Sequence, residues 1–120
     1  MKLDYKVPYD FILRYLYPLR PKIVKMLGGY VLVLNDKILF MLREQEAQPE
    51  YNGVYIATEP DFYDTLESEI HSSLMEVDID GLAHSWLFVS EDLPNFDEKV
   101  KKACEMLKGG DTRLGKKFTL

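Results

Sequence analysis

Residues 26–43, Met-Leu-Gly-Gly-Tyr-Val-Leu-Val-Leu-Asn-Asp-Lys-Ile-Leu-Phe-Met-Leu-Arg, constrain this chain more than any other stretch. Two apolar, β-rich runs, Tyr30 to Leu34 and Ile38 to Leu42, meet across Asn35-Asp36. That pair tolerates the positive φ of a two-residue hairpin turn. With Leu34 and Lys37 flanking the turn, Val33 is expected to pair with Ile38, Leu32 with Leu39 and Val31 with Phe40. One face then shows Val31, Val33, Ile38, Phe40 and Leu42. The other shows Tyr30, Leu32, Leu34, Leu39 and Met41, edged by Lys37 and Arg43. An antiparallel ribbon with one wet face alternates apolar with polar, and this one does not. Each large apolar side chain left in water forgoes about 1.5–3 kcal/mol. Five of them forgo on the order of 10 kcal/mol, comparable to the stability of a whole domain. Both faces therefore need covering. Helices can cover one, and the second calls for another helix layer or another subunit. Tyr30, Leu32, Leu34, Leu39 and Met41 form the expected contact of a homodimer, because Tyr and Met are enriched at interfaces and Lys37 and Arg43 would supply a polar rim.

The rest of the chain reads as helices and strands around this ribbon. Pro8 and Pro18 bracket a first helix over 8–17, with Phe11, Ile12, Tyr15 and Leu16 on one face. Residues 18–22 form an extended link. The first strand runs from Ile23 to Leu34, with Gly28-Gly29 marking a bulge or bend where chain segments approach closely. The second strand covers 37–43, a polar loop 44–52, and the third strand 54–58. A second helix over 60–74 follows, with Thr58 and Asp61 spaced as a capping box and Phe62, Leu66, Ile70 and Leu74 as its apolar stripe. Met75, Val77 and Ile79 alternate with Glu76, Asp78 and Asp80, the period of a half-buried fourth strand. His84 to Val89 is the fifth, with Trp86 and Phe88 opposite Leu87 and Val89. Asn95 is placed to cap a third helix over 95–108, which Gly109-Gly110 ends. The order α-β(3)-α-β(2)-α predicts a two-layer α+β fold with a mainly antiparallel five-stranded sheet. Residues 1–110 form one domain, followed by a flexible polar tail, 111–120.

Charge is sharply segregated. Residues 1–43 hold eight Lys/Arg against three Asp/Glu, residues 44–98 hold fifteen Asp/Glu and no Lys or Arg, and residues 99–120 hold seven Lys/Arg against two Asp/Glu. The acidic middle is either an unevenly charged surface or a face for a partner with a basic surface. It disfavours nucleic acid, whose phosphates need Lys and Arg. The single cysteine, Cys104, excludes an internal disulfide and fits a reducing cytoplasm. No apolar run approaches the ~18 residues of a membrane span, so no membrane role is expected.

No side-chain set for catalysis stands out. Cys104 falls on the apolar stripe of the third helix, as a small core hydrophobe does. His71 and His84 with Asp78 and Asp80 match no metal-ligand spacing, and Asp78-Ile79-Asp80-Gly81 is too short for a calcium loop. Gly28-Gly29 lies within a strand region and not before a helix, so it is no phosphate loop. No catalytic, cofactor or metal site is expected. The weak alternative is an enzyme with a small-molecule pocket around Tyr55, His84 and Trp86.

Met26-Leu27-Gly28-Gly29-Tyr30, the strand to Leu34, the Asn35-Asp36-Lys37 turn and Phe40 resemble the Met-Phe-Gly-Gly hairpin of TfoX/Sxy N-terminal domains, which are similar to the YjbR/MmcQ group. The resemblance covers residues 8–108. It implies a secretion-chaperone-like α+β fold, a bacterial protein, and a structural role for Met26, Gly28, Gly29 and Phe40. The functional expectation is a small non-catalytic binding or regulatory domain acting through protein–protein contacts as a sheet-mediated homodimer. An accessory factor in transcription or competence regulation is the alternative the resemblance implies.

Overall fold

The computed structural model describes residues 7–26, 28–79 and 82–117, with the side chains of 73–79 and 82–85 outside that description. Helix α1 (Phe11–Leu16) leads into a run of four strands: β1 (Lys22–Met26), β2 (Gly29–Leu34), β3 (Lys37–Arg43) and β4 (Gly53–Ala57). Helix α2 (Tyr63–Ile70), strands β5 (Ser73–Ile79) and β6 (Leu82–Ser90), helix α3 (Phe96–Lys108) and a short β7 (Lys116–Lys117) complete the chain. The strands lie in the order β1-β2-β3-β4-β6-β5, every neighbouring pair is antiparallel, and β7 joins beside β3. The architecture is α+β, with helices packed on a mainly antiparallel sheet.

The strand expected over 23–34 is two strands. Met26 pairs with Gly29, and Gly28 makes the reversal at φ +78, a conformation glycine adopts without strain. The bend read from Gly28-Gly29 is thus a full hairpin. Gly29 is needed for a different reason: a Cβ there would stand 2.5 Å from the Leu42 carbonyl oxygen.

The central hairpin forms across Asn35 and Asp36, both at positive φ, as expected. Its register then departs. Leu34 pairs with Lys37 and Val33 with Ile38, but Leu32 pairs with Phe40 and Val31 with Met41. Leu39 is the extra residue of a β-bulge, so Leu39 and Phe40 both turn toward the helices. One face therefore carries Tyr30, Leu32, Leu34, Leu39, Phe40 and Leu42, and the other Val31, Val33, Ile38 and Met41.

That assignment corrects the expected dimer contact. Leu32 and Leu39, 0% and 3% exposed, lie in the core that also contains Ile12 and Leu16 of α1, Leu66 and Ile70 of α2, and Val100, Ala103 and Cys104 of α3. Tyr30 and Leu34 pack at its edge. Met41 is on the other side of the sheet, 3% exposed. The chain's own helices occupy the face proposed for a second copy. The second face gathers Val31, Ile38, Met41, Tyr55, Ala57, Trp86 and Phe88, all strand residues and none more than 5% exposed.

Helix α2 ends earlier than its apolar stripe suggests. His71 adopts a left-handed conformation, φ 60 and ψ 48, and its N–H donates to the Glu67 carbonyl. Leu74 consequently pairs with Leu87 in the sheet. The last carbonyls of α2 accept from α3: Lys99 Nζ donates to Ile70 and His71 at 2.9 and 2.6 Å, and Lys102 Nζ to Glu69 at 2.6 Å. Cations at a helix C-terminus satisfy both its orphan carbonyls and its dipole. Two expected caps do not form. Thr58 is buried and donates to the Arg113 carbonyl at 2.6 Å, and the Asn95 side chain makes no capping bond.

The tail is also corrected over 111–117. Leu114 is 2% exposed and bridges Thr58, the Gly115 N–H donates to Ala57 at 2.7 Å, and Lys116 and Lys117 pair with Ile38 and Lys37. Strand β4 pairs with β3 only from Phe40 to Arg43. The start of β3 would present unpaired backbone groups, and β7 fills that notch. Arg113 secures the approach with a bidentate contact to Asp111 and an ion pair to Glu69 at 2.9 Å. Both carboxyl groups are held below their usual range by that guanidinium. Residues 118–120 lie outside the described residues.

Candidate functional site

Tyr55 and Trp86, expected to line a pocket, do come together. Their rings meet edge to face, 6.4 Å apart at 88°, and Phe88 lies against Tyr55 at 4.7 Å. Both are 2% exposed. The Tyr55 hydroxyl donates to the Tyr51 carbonyl at 2.6 Å, and burial pushes its ionisation up to about 12. Trp86 Nε1 is buried without a hydrogen-bond partner among the described residues. The pair is a packed aromatic core on the second sheet face. His84 stands in β6 opposite Val77, and its side chain lies outside the described residues.

Cys104 is fully buried in the helix-side core. Burial pushes its thiol up to about 12, so it offers no thiolate near neutrality. A stability effect follows at alkaline pH. The unfolded thiol ionises near its ordinary value of 9.0, while the folded one holds its proton to about 12. The unfolded state therefore binds fewer protons in this window. Stability is complete below pH ~9 and falls as pH rises through it, by up to about 1.4 kcal/mol per unit for this one group. Thermal unfolding from pH 7 to 11 is expected to show a steeper alkaline loss for the native chain than for Cys104→Ala. Parallel curves would remove the thiol from the account.

Among the described residues, no group of three His, Cys, Asp or Glu side chains converges to hold a metal, and no helix is long and apolar enough to cross a membrane. The loop 44–52 is tied by Arg43, whose guanidinium donates to Asn52 Oδ1 at 2.7 Å and to the Ala47 and Gln48 carbonyls at 2.9 and 3.0 Å. Asn52, 4% exposed, returns a bond to the Gln45 carbonyl at 2.8 Å. Gln45 Nε2 in turn donates to the Gly28 carbonyl, which fixes the glycine hairpin against this loop. The Tyr9 hydroxyl donates to Glu91 at 2.6 Å, and burial together with that carboxylate pushes its ionisation up.

Among the described residues, the most exposed large apolar side chain, Tyr17, stands at the end of α1. Ile12 and Leu16 turn into the core, half-buried Leu13 packs at its edge, and Arg14 and Tyr17, one and four residues after Leu13, are exposed. Leu13, Arg14 and Tyr17 line an open groove of about 390 Å³. Tyr17 is 62% exposed, an unusual state for a large aromatic residue. Lys108 Nζ, at the end of α3, donates to the Tyr17 carbonyl at 3.2 Å. Arg14 is exposed and makes no hydrogen bond or ion pair among the described residues. Beyond the groove the chain passes the cis Tyr17–Pro18 bond and reaches exposed Arg20, Lys22 and Lys25. This corner is missed when the first helix is read only by its buried stripe. The available signal is that Leu13 and Tyr17 are apolar residues left over once that stripe is assigned. Comparison with family models, curated proteins and solved structures finds no match to this chain.

Proposed function

We propose that this protein is a small non-catalytic binding domain that works through protein–protein contact, made at the basic corner formed by the end of α1 and the start of β1. The observation that carries this reading is Tyr17, 62% exposed in a groove beside Arg14, which has no ion pair among the described residues. Tyr and Arg are, with Trp, enriched among binding hot spots. Arg14, Arg20, Lys22 and Lys25 fall within twelve consecutive residues, with no acidic residue among them. A partner presenting carboxylates is therefore favoured over one with a basic surface at this corner.

A photo-reactive residue placed at position 17, and another at the exposed control position Thr65, test this in the native cell. Adducts to an acidic protein at position 17, absent at position 65 and lost in Arg14→Glu, are the expected result. Equal labelling at both positions, or adducts indifferent to Arg14→Glu, would overturn the reading.

A further inference from the structure

We infer that β1 is a receiving edge for an extended acidic segment of a partner protein, which adds to the sheet as a further antiparallel strand. This rests on the protein-contact reading above and specifies what the partner brings. Strand β1 ends the strand order, and no described strand pairs with its outer side. None of its five residues is buried, whereas all five of β4 are. An edge of this kind is a template for main-chain hydrogen bonds.

The side chains specify the strand that fits. The register with β2 sets Ile23 and Lys25 beside Leu32 and Tyr30, on the helix side of the sheet. Lys22, Val24 and Met26 fall on the opposite side, where Met26 packs on the second cluster. The two lysines are thus three residues apart, one on each face, with half-buried Ile23 and Val24 between them. Neither lysine has an ion pair among the described residues. Residues directly opposite in an antiparallel pair share a face, and opposite charges there attract. An incoming strand then needs a carboxylate facing Lys25, two apolar residues, and a second carboxylate facing Lys22. The recognised pattern is acid–apolar–apolar–acid in extended conformation. A second copy of β1 fits less well, because antiparallel pairing would set Lys22 of each copy opposite Lys25 of the other.

A labelled peptide, Thr-Glu-Val-Val-Glu-Thr, measured by fluorescence anisotropy against the full chain, tests the inference. Binding in the micromolar range is expected, weakened roughly tenfold or more in Lys22→Glu/Lys25→Glu. The same double variant is expected to gain the peptide with lysines in place of the glutamates. Methylating alternate peptide nitrogens is expected to abolish binding, because it blocks the ladder while leaving the charges in place. Equal binding of the methylated peptide, or of the order Val-Glu-Glu-Val, would overturn strand addition in favour of simple charge attraction. Self-association lost in the double variant would overturn it by assigning the edge to a second copy. No peptide binding, with cross-linking at position 17 intact, would remove the strand while leaving the contact surface standing.

Discussion

Gly53→Ala is expected to be severely destabilising. Gly53 opens β4 between Arg43 of β3 and Ser90 of β6, so strands hold it on both sides. Its φ is +154, and a Cβ there would stand 2.2 Å from the Val89 carbonyl oxygen and 3.1 Å from its carbon. Those are ladder atoms and cannot swing aside as a side chain would. Relief requires β4 to separate from β6, and the two aromatic residues that β6 holds against Tyr55 move with it. Backbone strain and overpacking together cost about 2–6 kcal/mol, against a total of about 5–15 kcal/mol for an ordinary domain. Far-UV circular dichroism and urea unfolding of the variant check this. A midpoint within experimental error of the native chain would show that the strands separate freely at this point.

Phe40→Ala is expected to cost about 3–5 kcal/mol. The ring is fully buried, paired across the sheet with Leu32 and Ile56, and turned toward the helices by the bulge at Leu39. In a domain of this size that loss lowers the unfolding temperature by roughly 4 °C per kcal/mol. Phe40→Leu keeps most of the volume and is expected to cost less than about 1.5 kcal/mol. Calorimetry of the two variants separates these outcomes. A Phe40→Ala loss below about 1 kcal/mol would mean that the helices do not close over this position.

Much of the fold is legible in the sequence because period and punctuation agree. The Asn35-Asp36 turn, the alternation of Trp86 and Phe88 against Leu87 and Val89, and the third helix with its glycine stop all stand where their patterns place them. The register of the central hairpin is not legible. Every residue from Val31 to Leu34 and from Ile38 to Leu42 is apolar, so slipping by one exchanges one apolar face for another, and no polar residue reports the difference. The packing of Leu39 and Phe40 under the helices decides it. The end of α2 is hidden for a similar reason: Leu74 continues the helical spacing, and only the left-handed turn at His71 sends it into the sheet. Strand β7 is invisible because two lysines carry no strand signal; Leu114 and the notch beside β3 create it. The candidate contact surface is the least legible part, since exposure of Tyr17 depends on which turn of a short helix faces the core.

The pairing of Lys37 with Lys117 also sets an order of events. During synthesis the central hairpin emerges roughly eighty residues before the strand that completes it. Its flank stays open through the making of both later helices, and joining it requires a long loop to close, which is slow relative to local pairing. The growing chain thus passes through a stage in which an apolar hairpin has one unfinished side, and the lysine at its turn is the charge that guards it until the segment around Leu114 arrives.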